Sequence, residues 1–279
     1  SMHPAYGSPI YTVRNTALIT LHTITKKKFG YFSKDVTSNQ LLVERWKNWW
    51  GKAEKSFKIP AKNIFSNIVN RYHIPDYAKF LKGITVCIDP GHGGLAHKIG
   101  YKRGPTGNRE AESNLRVSRY LKDFLLKCKA KVIMTRDSDK FVSLKARPTM
   151  AKLYGADIFI SIHHNWTPRY TAQAATIWYH LTPDHNPASI DLSRYIFQEV
   201  TNKVEMKEMD KAMGLKADNL IYDIGFSVLR NLDSSIAGTL CELAFFSNLE
   251  TELKMRNSEF LKQEAYGIFL GRARYIYAG

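Results

Sequence analysis

Residues 84–94 read "ITVCIDPGHGG". The first five form a short apolar run rich in β-branched residues, which predicts a buried strand. Asp89-Pro90-Gly91 ends the run, and His92 follows between glycines. An imidazole at the mouth of a strand, on a loop almost without side chains, reads in two ways. It is a turn that happens to hold a histidine, or a metal ligand that something from outside must approach closely. Outward from this stretch the chain alternates β-rich runs with helical ones. Strands are expected at 84–88, 131–135, 158–162, 176–180, 227–230 and 239–243, and helices at 110–127, 144–154, 190–201 and, in part, 252–275. In the first helix Val117, Leu121, Phe124 and Leu125 share one apolar face. Such alternation predicts an α/β fold: a mostly parallel sheet with helices on both faces. Sheets of this kind carry their sites at the carboxyl ends of the strands.

Residues 1–80 have a different texture. "SPIYTVRNTALITLHTIT" reads as a strand pair or an extended segment, while "NQLLVERWKNWWGKAEKSF" and "PAKNIFSNIVNRY" read as helices, the second with Pro60 at its start. The expectation is a small, mainly helical N-terminal domain over 1–80 and an α/β domain over 81–279. Trp46, Trp49 and Trp50 are expected to serve packing rather than a ligand. These 80 residues hold 13 Lys or Arg against 4 Asp or Glu, within a chain of net charge +16. Such a balance favours an acidic polymer as partner, although a solvated basic face also explains it. Nucleic acid is disfavoured, because no helix-turn-helix, zinc-finger or RNP-like signature accompanies the charge.

With 279 residues, 44% of them hydrophobic, the chain is long enough for a full core. No run approaches the length of a membrane span. Ser1-Met2 reads as the scar of tag removal. The cysteines, Cys87, Cys128 and Cys241, are odd in number and form no C-x-x-C pair. They read as small buried hydrophobes rather than a disulfide framework.

Four residues fall at the predicted mouth of the sheet. His92 follows the first strand, Glu110 opens the helix after the loop "GYKRGPTGNRE", His163 ends "ADIFISIH", and Glu242 ends "GTLCEL". Two imidazoles and a carboxylate make a three-ligand zinc site with a fourth position for water. A further carboxylate beside that water would be its general base. Each residue has a plainer reading. A histidine after a strand more often serves structure, a glutamate in a first helical turn answers the helix dipole, and His163-His164 reads as one packed and one exposed ring. Glu242 is the sharpest case, since a carboxylate inside "TLCELAFF" needs a partner or a function.

These blocks, with "REAESNLRVSRYLKDFL", "AKVIMTRDSDKFVSLKAR", "GADIFISIHHN", "VLRN" and "TLCELAFFSNLETE", resemble the zinc-dependent, AmiC-like N-acetylmuramoyl-L-alanine amidases, in family order from Ile84 onward. The resemblance implies zinc held by His92, Glu110 and His163, with Glu242 as the catalytic carboxylate. Glu112 is the alternative to Glu110, which the spacing to Asn114-Leu115 favours. His164 is disfavoured as a ligand, because successive strand residues face opposite sides. Asn165, Arg109 and Arg230 are expected to contact substrate. The loop before Glu110 departs from the pattern with His97 and several basic residues, and Leu249 stands where proline is usual. The implied reaction cuts the amide between N-acetylmuramic acid and L-alanine in peptidoglycan. A zinc peptidase acting within stem peptides and a non-catalytic wall-binding protein are the alternatives. The implied protein is exported, periplasmic or wall-associated, its signal peptide removed. Residues 1–80 are expected to contact an activator or the wall, or to cover the groove.

Overall fold

The strand that follows Gly83 is apolar on both sides because it lies inside the sheet. A computed structural model describes residues 71–95, 102–168, 171–182, 185–204 and 214–278, together with Glu44. The strand pair or extended segment expected over 8–25, the helices expected over 39–57 and 60–72 apart from Glu44 and residues 71–72, the tryptophan cluster and His97 lie outside the described residues. The six strands are β1 (Thr85–Pro90), β2 (Lys131–Met134), β3 (Ile158–Asn165), β4 (Thr176–Tyr179), β5 (Gly214–Ala217) and β6 (Ala237–Phe245). Their order is β2-β1-β3-β6-β4-β5. All pairings are parallel except that of β4 with β6, which is antiparallel.

Alternation along each strand divides the core in two. Val86, Ile88, Ile158, Ile160, Cys241 and Leu243 face one side. There they meet α1 (Glu110–Lys127), α3 (Ala188–Val204) and α6 (Ser258–Ala278). Cys87, Phe159, Trp178 and Leu240 face the other side, with α2 (Ala146–Leu153) and α4 (Ser227–Arg230). A short helix, α5 (Leu249–Arg256), precedes α6, and Asn248 caps it by accepting from the Thr251 amide at 3.1 Å. Helices α3 and α6 approach so closely that a Cβ on Gly271 would lie 2.4 Å from the Ile196 backbone, and one on Gly267 would lie 2.7 Å from that of Val200. Only glycine permits that contact.

Residues 71–81 pack against this same core, so the packed unit reaches back past the expected 80/81 boundary. Ala78 and Leu81 are fully buried in a 3-10 turn, Asp76–Leu81, and Tyr72 meets Phe124 edge-on with ring centres 5.3 Å apart. All three cysteines are free and buried. No helix of the described residues is long and apolar enough to cross a membrane.

Two expectations need correction. Ser227–Arg230 is a helical turn, not a strand: the amides of Leu229 and Arg230 both donate to Phe226 O, at 3.0 and 2.8 Å. Packing of Val228 and Leu229 under the sheet decides its form, since a four-residue apolar run has no period of its own. The short β5 was not expected at all.

Candidate metal centre and active site

The centre is built where β1, β3 and β6 end. The Gly91 amide donates to Ile162 O at 2.9 Å, prolonging the β1–β3 pairing. His92 then takes a left-handed conformation, φ +60°, which is uncommon for a residue with a side chain. Its ring meets that of His163 nearly at right angles, with centres 4.8 Å apart. A Cβ on Gly91 would lie 2.2–2.5 Å from the His163 imidazole. The bare loop is therefore a seat for one histidine and a pivot for the other.

Glu110 closes the triad. Its Oε1 lies 3.0 Å from His92 Nε2 and 3.1 Å from His163 Nδ1, and one ligand atom from each of the three residues falls within 4.8 Å of the others. Tetrahedral zinc, with ligand bonds of about 2.0–2.2 Å, separates its ligands by roughly 3.4 Å. The two imidazole–carboxylate separations are close to that, and the donor set suits a divalent ion with an open position. Burial raises the Glu110 carboxyl, but hydrogen bonds from His163 and His92 outweigh it and hold the group well below the usual range. Burial lowers His163, against the pull of Glu110, and so favours the neutral imidazole that binds metal. Glu112 is exposed on the far side of α1.

Glu242 stands directly opposite His163 in the β3–β6 register, on the same face of the sheet. Its Oε2 is buried and has no hydrogen-bond partner. Burial, followed by the charge of Glu110, raises its carboxyl well above the usual range, and Lys102 opposes the shift. His164 points to the other face, as strand alternation requires. There its Nδ1 lies 2.7 Å from Asn114 Oδ1 and its Nε2 3.2 Å from Glu264 Oε2. Asn114 in turn donates to Glu110 Oε1 at 3.3 Å and to Gly91 O at 3.2 Å.

The residues expected to touch substrate separate. Asn165 ends β3 at this mouth, half-buried, and its Oδ1 accepts from the Trp166 amide at 2.8 Å. Arg109 sits just before Glu110 but grips Asp139 through both ends of its guanidinium, each at 2.9 Å, while Asp139 accepts from the Gly94 amide at 3.0 Å. It braces two loops beside the centre. Arg230 is elsewhere. It donates to Ile224 O and Gly225 O and shares a cleft with His180. The antiparallel β4 carries His180 away from Glu242, because Thr176 is the residue opposite Glu242. Arg230 thus lies at the sheet's other edge, and nothing brings it to the metal centre.

Several residues that hold the centre lie in the quoted blocks, but their local sequence gives them no role. Arg136 donates to the carbonyls of Pro90 at 2.8 Å, Gly91 at 2.8 Å and Ala111 at 2.7 Å. Arg147 donates to Asp89 at 2.6 Å, Pro90 O at 2.9 Å and His92 O at 3.0 Å. Asp89 also accepts from Thr135 and Ser161, at 2.6 and 2.8 Å. Two buried guanidiniums thereby fix the strained turn at His92. Glu252, fully buried, accepts from the amides of Thr106 at 2.6 Å and Asn108 at 2.9 Å, and so shapes the loop ahead of α1.

Known proteins share this arrangement of elements. The chain is 30% identical over 183 residues to the protein named Probable cell wall amidase LytH of Staphylococcus epidermidis, a match that covers 66% of this chain and 55% of that protein. It is 28% identical over 229 residues to the N-acetylmuramoyl-L-alanine amidase AmiC of Escherichia coli, covering 70% and 54%. The chain thus spans about half the length of these curated relatives. The crystal structure of an N-acetylmuramoyl-L-alanine amidase from Clostridium difficile 630 superposes with a TM-score of 0.59 at 29% identity, covering 70% of this chain and 97% of that one. Residues 86–273 match the family described as N-acetylmuramoyl-L-alanine amidase, and this span contains both histidines, Glu110 and Glu242: the chain belongs to that family.

Proposed function

We propose that this chain hydrolyses the amide bond between N-acetylmuramic acid and the L-alanine of peptidoglycan stems, with zinc held by His92, Glu110 and His163. One observation carries the reading: a convergent His-Glu-His triad with a buried, unpartnered carboxylate oxygen of Glu242 on the strand beside it. When bound, zinc lowers the pKa of water and polarises a carbonyl oxygen. The protein's own groups do the rest. His92 and His163 present ring nitrogens, and Glu110 supplies the anionic ligand. Glu242 takes the proton of the attacking water and delivers it to the leaving nitrogen; its raised affinity for a proton suits both halves of that task. Asn165 and Trp166, at the end of β3, stand where a glycan or peptide would pass. The relatives' names point to the cell wall, and an exported location agrees with that substrate. A contact between residues 1–80 and an activator or the wall is part of this proposal.

The test pairs metal analysis with release of stem peptides from purified peptidoglycan. Glu242→Ala keeps zinc and loses turnover by at least about a hundredfold. His92→Ala loses both. A Glu242→Ala protein that still releases peptides at the parent rate would falsify the role given to this carboxylate.

A further inference from the structure

The metal centre uses the edge of the sheet formed by the carboxyl ends of β1, β3 and β6. We propose that the opposite edge is a docking surface for an anionic lipid bilayer, on which this unit sits with its centre facing away.

The exposed apolar side chains are sorted between the two edges. Thirteen large hydrophobic residues are exposed among the described residues. Phe141, Leu144 and Trp166 lie on loops at the catalytic mouth. The other ten lie toward the amino ends of β1, β2, β3 and β6 or the carboxyl ends of the reversed β4 and β5. Leu153 and Tyr154 precede β3, and Phe80 lies beside Tyr277 with ring centres 5.9 Å apart. The loop after β5 carries four of them, with Leu220 73% and Ile224 65% exposed. That loop is braced. Asp218, fully buried, pairs with His180 Nδ1 at 2.8 Å and accepts from the Phe226 amide at 2.7 Å, and Arg230 holds Ile224 O at 2.9 Å. Leu220, Ile221, Tyr222 and Ile224 are thus exposed along one braced loop, with Asp223 among them, and exposed apolar side chains gathered in one place mark contact surfaces.

Cations stand on the same edge. Lys79, Lys82, Lys127 and Lys129 line one cleft of about 520 Å³ where β1 and β2 begin, and Asp76 is the acid among its lining residues. Lys79 lies over the Phe80 ring at 5.3 Å. From β1 to β5 is four strand spacings, roughly 19 Å. The edge therefore offers lysines at one end and aliphatic tips at the other. A bilayer matches both at once: phosphate headgroups meet the lysines, and the acyl boundary receives Leu220, Ile221 and Ile224. A soluble polyanion would engage the lysines and leave the aliphatic tips in water.

The experiment is sedimentation of the full chain with vesicles of phosphatidylglycerol and phosphatidylcholine in equal parts, against phosphatidylcholine alone. The parent is expected to bind the anionic vesicles, less strongly as salt rises. Lys79→Glu/Lys82→Glu/Lys129→Glu lowers partitioning at least about tenfold, and Leu220→Ser/Ile221→Ser lowers it by an amount that salt does not change. These positions are exposed and far from the metal centre, so both variants keep the parent's zinc content and its rate on soluble muropeptides. Two results overturn the proposal. Both variants bind vesicles like the parent, which places any binding elsewhere in the chain; or the parent ignores vesicles and binds an isolated anionic wall polymer through the same lysines, which makes the edge a polymer site.

Discussion

Glu110 is the residue on which the centre depends most, because one oxygen meets both imidazoles and the Asn114 amide. Its orientation is inherited. Glu264 on α6 holds His164, His164 holds Asn114, and Asn114 holds Glu110. The first three are fully or almost fully buried, so each depends on its neighbour for hydrogen bonds that water cannot replace. Groups that orient a ligand in this way typically set metal affinity within a factor of about 10–100. Asn114→Ala is therefore expected to weaken zinc binding by that factor while leaving every ligand in place, and competition with a chelator of known affinity measures it. Asn114→Asp, which keeps an acceptor for His164 but brings a second carboxylate beside Glu110, should not restore the lost affinity. Unchanged zinc affinity in Asn114→Ala would mean that His92 and His163 alone position Glu110.

At the level of elements, the turn between β1 and α1 is held by ionic contacts from outside it. Asp89 and Arg147 are both buried and lie 2.6 Å apart, and Arg147 also reaches the carbonyls of Pro90 and His92. Removing one partner of a buried pair strands the other, at a cost of about 3–5 kcal/mol. Arg147→Ala is expected to destabilise the fold by that amount in chemical unfolding and to loosen the His92 turn. Asp89→Asn/Arg147→Met, which removes both charges, should recover part of the loss. These contacts also show what sequence reading could reach. Helix α1 was legible from end to end, because Val117, Leu121, Phe124 and Leu125 repeat at helical spacing. His92, Glu110, His163 and Glu242 were legible as a group, because each closes or opens an element at one edge. Arg136 and Arg147 were not: "MTRDSD" follows an expected strand and "LKARP" opens an expected helix, and neither arginine has a visible role until the fold brings both under Pro90. Strand β5, "GLKA", has no β-branched residue and pairs on one side alone, so tertiary contact makes it a strand. Arg230 was misplaced for a related reason: β4 reverses direction, and nothing in "TIWYH" announces the reversal.

Across the whole molecule, two carboxylates of one centre place opposite demands on the fold. Without metal, burial and then the charge of Glu110 raise Glu242 above its usual range. An acid whose folded pKa exceeds its unfolded value contributes stability that is complete below the unfolded pKa, roughly 4.3, and is lost as pH rises through the folded pKa. Glu110 has the opposite sign. Burial pushes it up, but His163 and His92 win, so its contribution is present above the unfolded pKa and is lost as pH falls through the folded one. Acid therefore removes what Glu110 supplies, and base exacts a cost at Glu242. Glu242→Gln removes the second effect alone, with little change in volume. In metal-stripped protein this variant is expected to exceed the parent in stability at neutral pH and to converge with it below about pH 4, where the parent's Glu242 is protonated in both states. Hydrogen exchange of the β3 and β6 amides across that pH range reads the difference at the strands that carry the centre. Zinc should narrow the gap at neutral pH, because a cation beside Glu242 favours its ionised form. Equal protection of the two metal-free proteins at neutral pH would show that the carboxyl stays hydrated, and would remove the electrostatic reason for assigning it the proton transfer.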